Sequence, residues 1–325
     1  LFVTSLAQVT ALVDAHVHRD DCRFRVITHQ IAAHVASRSE RGADQLRKLV
    51  DNQQAMTLVP LPSASGLLSS PADLSTLDDM TLTPAVRDRL DRVVLEHSRR
   101  FDLFVRGLRP ASKLLFTGPP GVGKTMAAGA LSRALGMPMF RVDLHGVISQ
   151  HLGETAGKLA KVFEHVRSMS AVYLFDEFDA LGAERSSLGS EGGGGSEMRR
   201  VVNSLLQFIE DDRSESLIVA ATNHDQMLDS ALFRRFDEVV TFGSPTRDEV
   251  IALVGRKLVD IDASQLDANA IYSAVANPKL GHADVCTALD RVRKDHMLVG
   301  TAIDTHAIVA ALVTRTRAPS SEVLS

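Results

Sequence analysis

Cysteine is scarce: Cys22 and Cys286 are the only two in 325 residues, and they stand far apart. Neither a disulfide framework nor a four-cysteine zinc site can be built from them within one chain, so a reducing cytoplasm is the expected setting. Long apolar runs are missing too. No stretch approaches the roughly 20 uninterrupted apolar residues of a membrane helix, and the apolar start from Leu1 to Val13 has neither a basic n-region nor a small-residue cleavage site. We therefore expect no membrane segment and no signal peptide. Charge of one sign is also lacking. The 36 Lys and Arg against 40 Asp and Glu leave a net charge of −4, which does not favour nucleic-acid binding through bulk charge.

What is present is ample apolar material. Hydrophobic residues make up 45% of the chain, enough for a sizeable core, and at roughly 150 residues per domain the length accommodates about two or three units. Three helical periods open the sequence: Leu6, Val9, Val13 and Val17; then Phe24, Ile27, Ile31 and Val35; then Leu46, Leu49 and Val50. They predict three short amphipathic helices over 1–57. Pro, Ser and Gly concentrate from Leu58 to Pro71 without a period, which marks a linker, taken as 58–76. Beyond it a helical pattern from Pro84 to Arg106 precedes compact apolar runs at Leu114 to Thr117, Phe140 to Val142, Val172 to Phe175, Ile218 to Ala221 and Val239 to Phe242. Helical stretches separate these runs, which predicts an α/β core with a mostly parallel sheet over 77–244. Helices at Asp248 to Leu258, Ala283 to Leu298 and Thr305 to Arg315 predict a helical unit over 245–325. No internal repeat appears, and the glycine-rich Gly189 to Ser196 reads as a mobile loop or an engineered insert.

The chemistry starts at Gly118, Pro119, Pro120, Gly121, Val122, Gly123, Lys124 and Thr125, directly after the apolar run KLLFT and before the helix-forming run that begins at Met126. This is a phosphate-binding P-loop in its strand, loop and helix setting. Glycines let successive N–H groups turn inward on phosphate oxygens, Lys124 offers a cation to the outer phosphates, and Thr125 offers a hydroxyl to magnesium. Fifty-two residues past Lys124, the run AVYLF ends in Asp176 and Glu177. Two carboxylates at the C-terminal edge of a buried strand lie where open α/β sheets bind ligands. Asp176 is expected to hold magnesium and Glu177 to act as general base toward water. The run LIVAAT then ends in Asn223, an amide that can position the water or sense the terminal phosphate, and Arg234 and Arg235 follow as bidentate phosphate donors.

These four motifs, in this order and spacing, resemble those of the AAA+ ATPases, and more closely the AAA family proper, from Leu77 to about Leu298. The resemblance implies ATP and Mg2+ as ligands, and a five-stranded parallel sheet in the order 5-1-4-3-2 with a helical lid. It also implies a homo-oligomeric ring, usually a hexamer, in which Arg234 and Arg235 reach the neighbouring copy's nucleotide. The stretch LGHADVCTAL resembles the family's lid motif, with Ala283 and Asp284 matching and His282 standing where glycine is usual. Absence of an arginine from that stretch favours the protein-remodelling branch. In the family a gripping loop after the second strand carries an aromatic residue; here the matching positions are His151 and Leu152, with Gly189 to Ser196 as the second pore loop.

The segment VDAHVH from Val13 to His18 is similar to the metal-binding strand of amidohydrolases. Alternate residues share a face only on a strand, and this segment sits in a helical pattern, so we expect no metal there. The N-terminal unit resembles the three-helix trafficking domains of vacuolar-sorting ATPases. The whole chain resembles bacterial AAA ATPases found alongside subtilisin-like proteases, which makes such a protease an expected partner. The reading is thus an ATP-hydrolysing ring that remodels, unfolds or regulates a protein. The alternatives are a nucleotide-switched scaffold that threads nothing and a nucleic-acid remodeller.

Overall fold

The computed structural model describes residues 10–14, 27–28, 31–32, 66–71, 75–147, 152–178, 194–224, 233–258, 266–276 and 280–316. The chain forms two compact units, Leu1–Pro62 and Ser63–Ser325. In the first, residues 10–14, 27–28 and 31–32 are helical, and Ile27 and Ile31 are buried with Ala11 and Leu12 packed against them. The rest of the three expected helices lies outside the described residues. Val13 and Asp14 are helical, whereas residues 15–18 of the VDAHVH segment are also outside. Among the described residues no group of His, Cys, Asp or Glu is arranged to hold a metal, and no helix is long and apolar enough to cross a membrane.

The second unit runs β1 (Leu68–Ser69), α1 (Pro84–Ser98), α2 (Arg100–Val105), β2 (Lys113–Thr117), α3 (Lys124–Leu135), β3 (Met139–Val142), α4 (Leu144–Val147), α5 (Leu152–Ser168), β4 (Val172–Phe175), α6 (Gly194–Asp211), β5 (Leu217–Thr222), β6 (Glu238–Thr241), α7 (Arg247–Lys257), α8 (Ala268–Ala276), α9 (His282–Val299) and α10 (Thr305–Thr316). Its sheet is ordered β1-β3-β4-β5-β2-β6. The strands β3, β4, β5, β2 and β6 pair in parallel, while β1 pairs antiparallel with β3, Leu68 opposite Val142. The expected five-stranded, wholly parallel sheet is therefore corrected to six strands with one antiparallel edge. The extra strand comes from the segment read as linker. Two residues carry no readable period, and they pair because β3 leaves its outer edge open.

Strand residues alternate between two cores. Leu115, Tyr173, Phe175, Ile218 and Ala220 face one side, under Phe163 and Val166 of α5 and Leu205 and Ile209 of α6. Leu114, Phe116, Val172, Leu174 and Val219 face the other, under Leu90 and Val93 of α1 and Ala127 and Leu131 of α3. Burial on both faces explains why these strands read as continuous apolar runs. A third core, built on Val254, Ile271, Leu289 and Leu312, joins α7 to α10.

Caps set the helix starts. Thr83 caps α1 with Pro84 at the first helical position, and Thr246 with Glu249 forms a capping box on α7. The helical stretch expected from Pro84 to Arg106 is broken at Arg99 into α1 and α2. The glycine-rich loop is also shorter than expected, since Gly194, Gly195 and Ser196 lie in the first turn of α6 despite their low helix propensity.

Candidate nucleotide-binding and active site

β2, between β5 and β6, delivers the P-loop to the N-terminus of α3. Gly118 has φ +139°, and a Cβ there would stand 2.0 Å from the carbonyl oxygen of Phe242, so no side chain fits. Gly121 and Gly123 also have positive φ, and Gly123 caps α3 in the left-handed conformation without any side-chain hydrogen bond. The opening N–H groups of α3 therefore face the loop without a side-chain cap, where an anion is favoured. Val122 is buried in the core and pins the loop, while Met126 is exposed on the first turn.

Lys124 is only 7% exposed, and its Nζ donates to Gly118 O (2.7 Å), Pro119 O (2.8 Å) and Asn223 Oδ1 (2.8 Å). Thr125 Oγ1 donates to Asp176 Oδ2 at 3.0 Å, and the Glu177 N–H donates to Asp176 Oδ1 at 3.0 Å. Glu177 is exposed at φ +54°, the one non-glycine residue with positive φ among the described residues. Its neighbour Phe178 donates N–H to Ala221 O of β5 and is fully buried, which over-determines the turn. Lys124, Thr125, Asp176, Glu177 and Asn223 thus gather from three neighbouring strand ends. Cavities of about 460 and 310 Å3 flank them; the first is lined by Thr125 and Met126, the second by Asp176 and Glu177, and Ser69 and Arg141 line both.

A general model of the "ATPase family associated with various cellular activities (AAA)" matches residues 114–244, the span that carries this cluster. The AAA family ATPase y4kL of Sinorhizobium fredii, itself uncharacterised, is 38% identical over 246 residues, covering 72% of this chain and 72% of that protein. The chain belongs to the AAA family of ATPases.

As a family member it hydrolyses ATP. The chain is also 32% identical over 189 residues to the peroxisomal ATPase PEX6 of Colletotrichum orbiculare, covering 55% of this chain but 13% of that protein. The crystal structure of the FIGL-1 AAA domain superposes with a TM-score of 0.58 at 19% identity, covering 80% of this chain and 91% of that one, a likeness of fold.

Two contacts of this AAA site, those of Arg141 and Gly281, were not legible in the sequence, whereas Ala283 was expected in the lid from the resemblance. Arg141 of β3 lies 3.3 Å from Asp176 Oδ2, a cation beside the carboxylate that no motif announces. Gly281 packs on the P-loop so closely that a Cβ would stand 2.9 Å from Pro120 O. The Ala283 N–H donates to Gly121 O at 2.9 Å, so the lid meets the nucleotide loop through its backbone. His282 lies between these two contacts, and its Nε2 is 3.7 Å from Glu249 Oε1.

Arg234 and Arg235 do not join the cluster. Arg235 Nε is 3.3 Å from Glu210 Oε2 near the end of α6, and the Glu210 carbonyl accepts from Lys113, the first residue of β2. That is the N-terminal edge of the sheet, a strand length of about 15 Å from the P-loop at the other edge. A cavity of about 830 Å3 lined by Lys113, Asp212 and Asp237 also lies at this far edge, away from the nucleotide cluster. Of the pore positions, His151 lies outside the described residues and Leu152 begins α5. Residues 189–193 of the second expected pore loop are likewise outside.

Proposed function

We propose that this AAA ATPase works as a homo-oligomeric ring in which Arg234 and Arg235 complete the active site of a neighbouring copy, and that ATP turnover remodels a protein partner. The observation that carries the reading is the position of the two arginines. Arg235 is anchored at the sheet edge opposite its own P-loop, which supports a role at a neighbouring copy's nucleotide rather than at its own. Thr125 and Asp176 supply hydroxyl and carboxylate oxygens 3.0 Å apart, a donor set that suits magnesium, which takes the rest of its shell from phosphates and water. When bound, the ion would neutralise phosphate charge; Thr125 and Asp176 would hold it. Glu177 takes the proton of the attacking water, Lys124 leaves its loop carbonyls for the outer phosphates, and Asn223 holds the lysine and the water in register.

The lid stretch LGHADVCTAL contains no arginine, which supports a protein rather than a nucleic acid as the thing moved. The partner is assigned by class alone, as a protein, with residues 1–57 as its recognition unit in a cytoplasmic setting. A second reading, a nucleotide-switched scaffold, is favoured by the lack of Phe, Tyr or Trp from Gln150 to Glu154.

Mixing tests the ring. The Arg234→Ala/Arg235→Ala protein and the Lys124→Ala protein should each be inactive, whereas their mixture should regain phosphate release, because mixed rings contain intact composite sites. A wild-type rate per subunit that is independent of concentration in a demonstrated monomer refutes the proposal. Replacing His151 and Leu152 by alanine separates threading from switching: threading requires intact ATP hydrolysis with lost partner unfolding.

A further inference from the structure

The nucleotide cluster contains a cation that the phosphate chemistry described above leaves unused. Arg141 sits in β3, opposite Ser69 of β1 and Leu174 of β4. Phe140 and Val142 on either side of it pack into the core under α5 and α6, while Met139 packs into the core under α3. Alternation along the strand therefore brings Arg141 out on the α3 face, the face that carries Thr125. With Thr125 and Met126 it lines the cavity of about 460 Å3, where it is the one charged residue among those described. In the cavity of about 310 Å3 it is the one described cation, set among Asp143, Asp176 and Glu177.

These three carboxylates are not equivalent. Asp143 Oδ1 is occupied by the Gly146 N–H at 3.0 Å, and Glu177 is exposed. Asp176 receives the Glu177 N–H on Oδ1, and its Oδ2 takes both the Thr125 hydroxyl at 3.0 Å and the Arg141 guanidinium at 3.3 Å. The Asp176 side chain is 15% exposed and that of Arg141 49%. The carboxylate is thus fixed from two sides, whereas the arginine can swing into solvent. A guanidinium keeps its charge at every working pH, so protonation plays no part in this pair.

Thr125 and Asp176 are the side chains that suit magnesium. The ion and the guanidinium therefore call on the same oxygen, and two cations so placed repel each other. We propose that Arg141 is a positioning residue that competes with magnesium for Asp176. It neutralises the carboxylate toward a nucleotide that arrives without the ion, and it withdraws when the ion binds. Arg141 thereby weakens the coupling between ion and nucleotide, so that nucleotide affinity depends on Mg2+ less steeply than the carboxylate alone would make it. This rests on nucleotide binding at the P-loop and on metal binding by Thr125 and Asp176, and it does not require the ring.

The test measures Kd for a fluorescent ADP in wild type, Arg141→Met and Arg141→Lys, with excess EDTA and again with saturating Mg2+. Association of Mg2+ with free ADP is common to the three proteins, so it cancels when their ratios of Kd in EDTA to Kd in Mg2+ are compared. In Arg141→Met that ratio should exceed the wild-type value by about fivefold, the scale of one partly exposed ion pair. Both conditions contribute. ADP alone should bind more weakly, because Asp176 then repels the phosphates, and ADP with Mg2+ should bind more tightly, because the ion meets no rival. Arg141→Lys keeps the cation and should stay within about twofold of wild type. An equal or smaller ratio in Arg141→Met overturns the proposal. So does a lysine variant that behaves like the methionine one, since shape rather than charge would then be acting. A ratio near one in every protein removes the metal from Thr125 and Asp176 and the proposal with it, whereas equal ratios well above one overturn the proposal alone. Should Arg141→Met not fold, Arg141→Gln must show the same increase, and an unchanged ratio there overturns the competition.

Discussion

The ammonium of Lys124 lies 2.8 Å from Oδ1 of Asn223, so the P-loop after β2 and the end of β5 meet in one charge-assisted hydrogen bond. Lys124 also donates to two carbonyls of its own loop, Gly118 O and Pro119 O. Phosphate oxygens must compete with those two, and Asn223 steadies the lysine during the exchange. Lys124→Ala should abolish nucleotide binding. Asn223→Ala should leave Kd within a few-fold and lower kcat by about 100-fold, the cost of one preorganised polar group at a transition state. Binding of fluorescent ADP and phosphate release check both; an Asn223→Ala enzyme with wild-type kcat removes the residue from the machinery.

Glu177 combines function with strain. Its φ of +54° is a conformation that costs a non-glycine residue on the order of 1–2 kcal/mol. Glu177→Gln should bind ATP normally and turn it over roughly 100-fold more slowly or worse, because a positioned base is lost. Glu177→Gly should be as inactive and yet more stable in urea by about 1 kcal/mol, since glycine adopts the turn freely. A glycine variant less stable than wild type would show that the turn is not strained.

Gly281 packs closely on the P-loop. A methyl group there would stand 2.9 Å from Pro120 O and 3.0 Å from the carbonyl of Gly121, against backbone that cannot swing aside. Gly281→Ala should lift the lid and weaken ADP binding by roughly tenfold, within the about 1–3 kcal/mol typical of overpacking. Isothermal titration with ADP measures this, and unchanged affinity would mean that the lid contact is not used.

His165 and Tyr173 form a buried pair under the sheet. Tyr173 Oη is 2.6 Å from His165 Nδ1 and 3.1 Å from the carbonyls of His165 and Met169. One phenolic proton serves either a carbonyl or Nδ1, so the direction of the His165–Tyr173 hydrogen bond follows the tautomer of the ring. Burial lowers the His165 pKa, while burial and then the Asp212 carboxylate push the Tyr173 phenol up, so both stay neutral.

A histidine whose folded-state pKa is lowered contributes stability that is complete above its unfolded value, about 6.5, and is lost as pH falls from there toward the folded value. Urea midpoints should therefore fall between pH 7 and pH 5.5. In His165→Leu the slope over the same window should be shallower. Equal slopes for the two proteins would place the acid sensitivity elsewhere.

Much of the active cluster was legible because it rests on short-range chemistry. Glycines at Gly118, Gly121 and Gly123 report the positive φ their turns require, and apolar runs ending in Asp176 or Asn223 report strand ends, since strands buried on both faces carry no polar residue until they leave the sheet. Three of the four lid helices were legible through their helical period, whereas α8 was not expected. The two-residue β1 was not, because its pairing depends on the free edge of β3 and on no local pattern. Nor were the Arg141 contact with Asp176, the seat of Gly281 on Pro120, or the His282 and Glu249 pair, whose partners stand 33 or more residues apart in sequence. The sequence by itself determined which residues could handle a nucleotide. Only the tertiary structure decided which backbone closes over it and at which sheet edge Arg235 sits, because these follow from how separate elements stack, and stacking is set by the summed burial of many side chains rather than by any one of them.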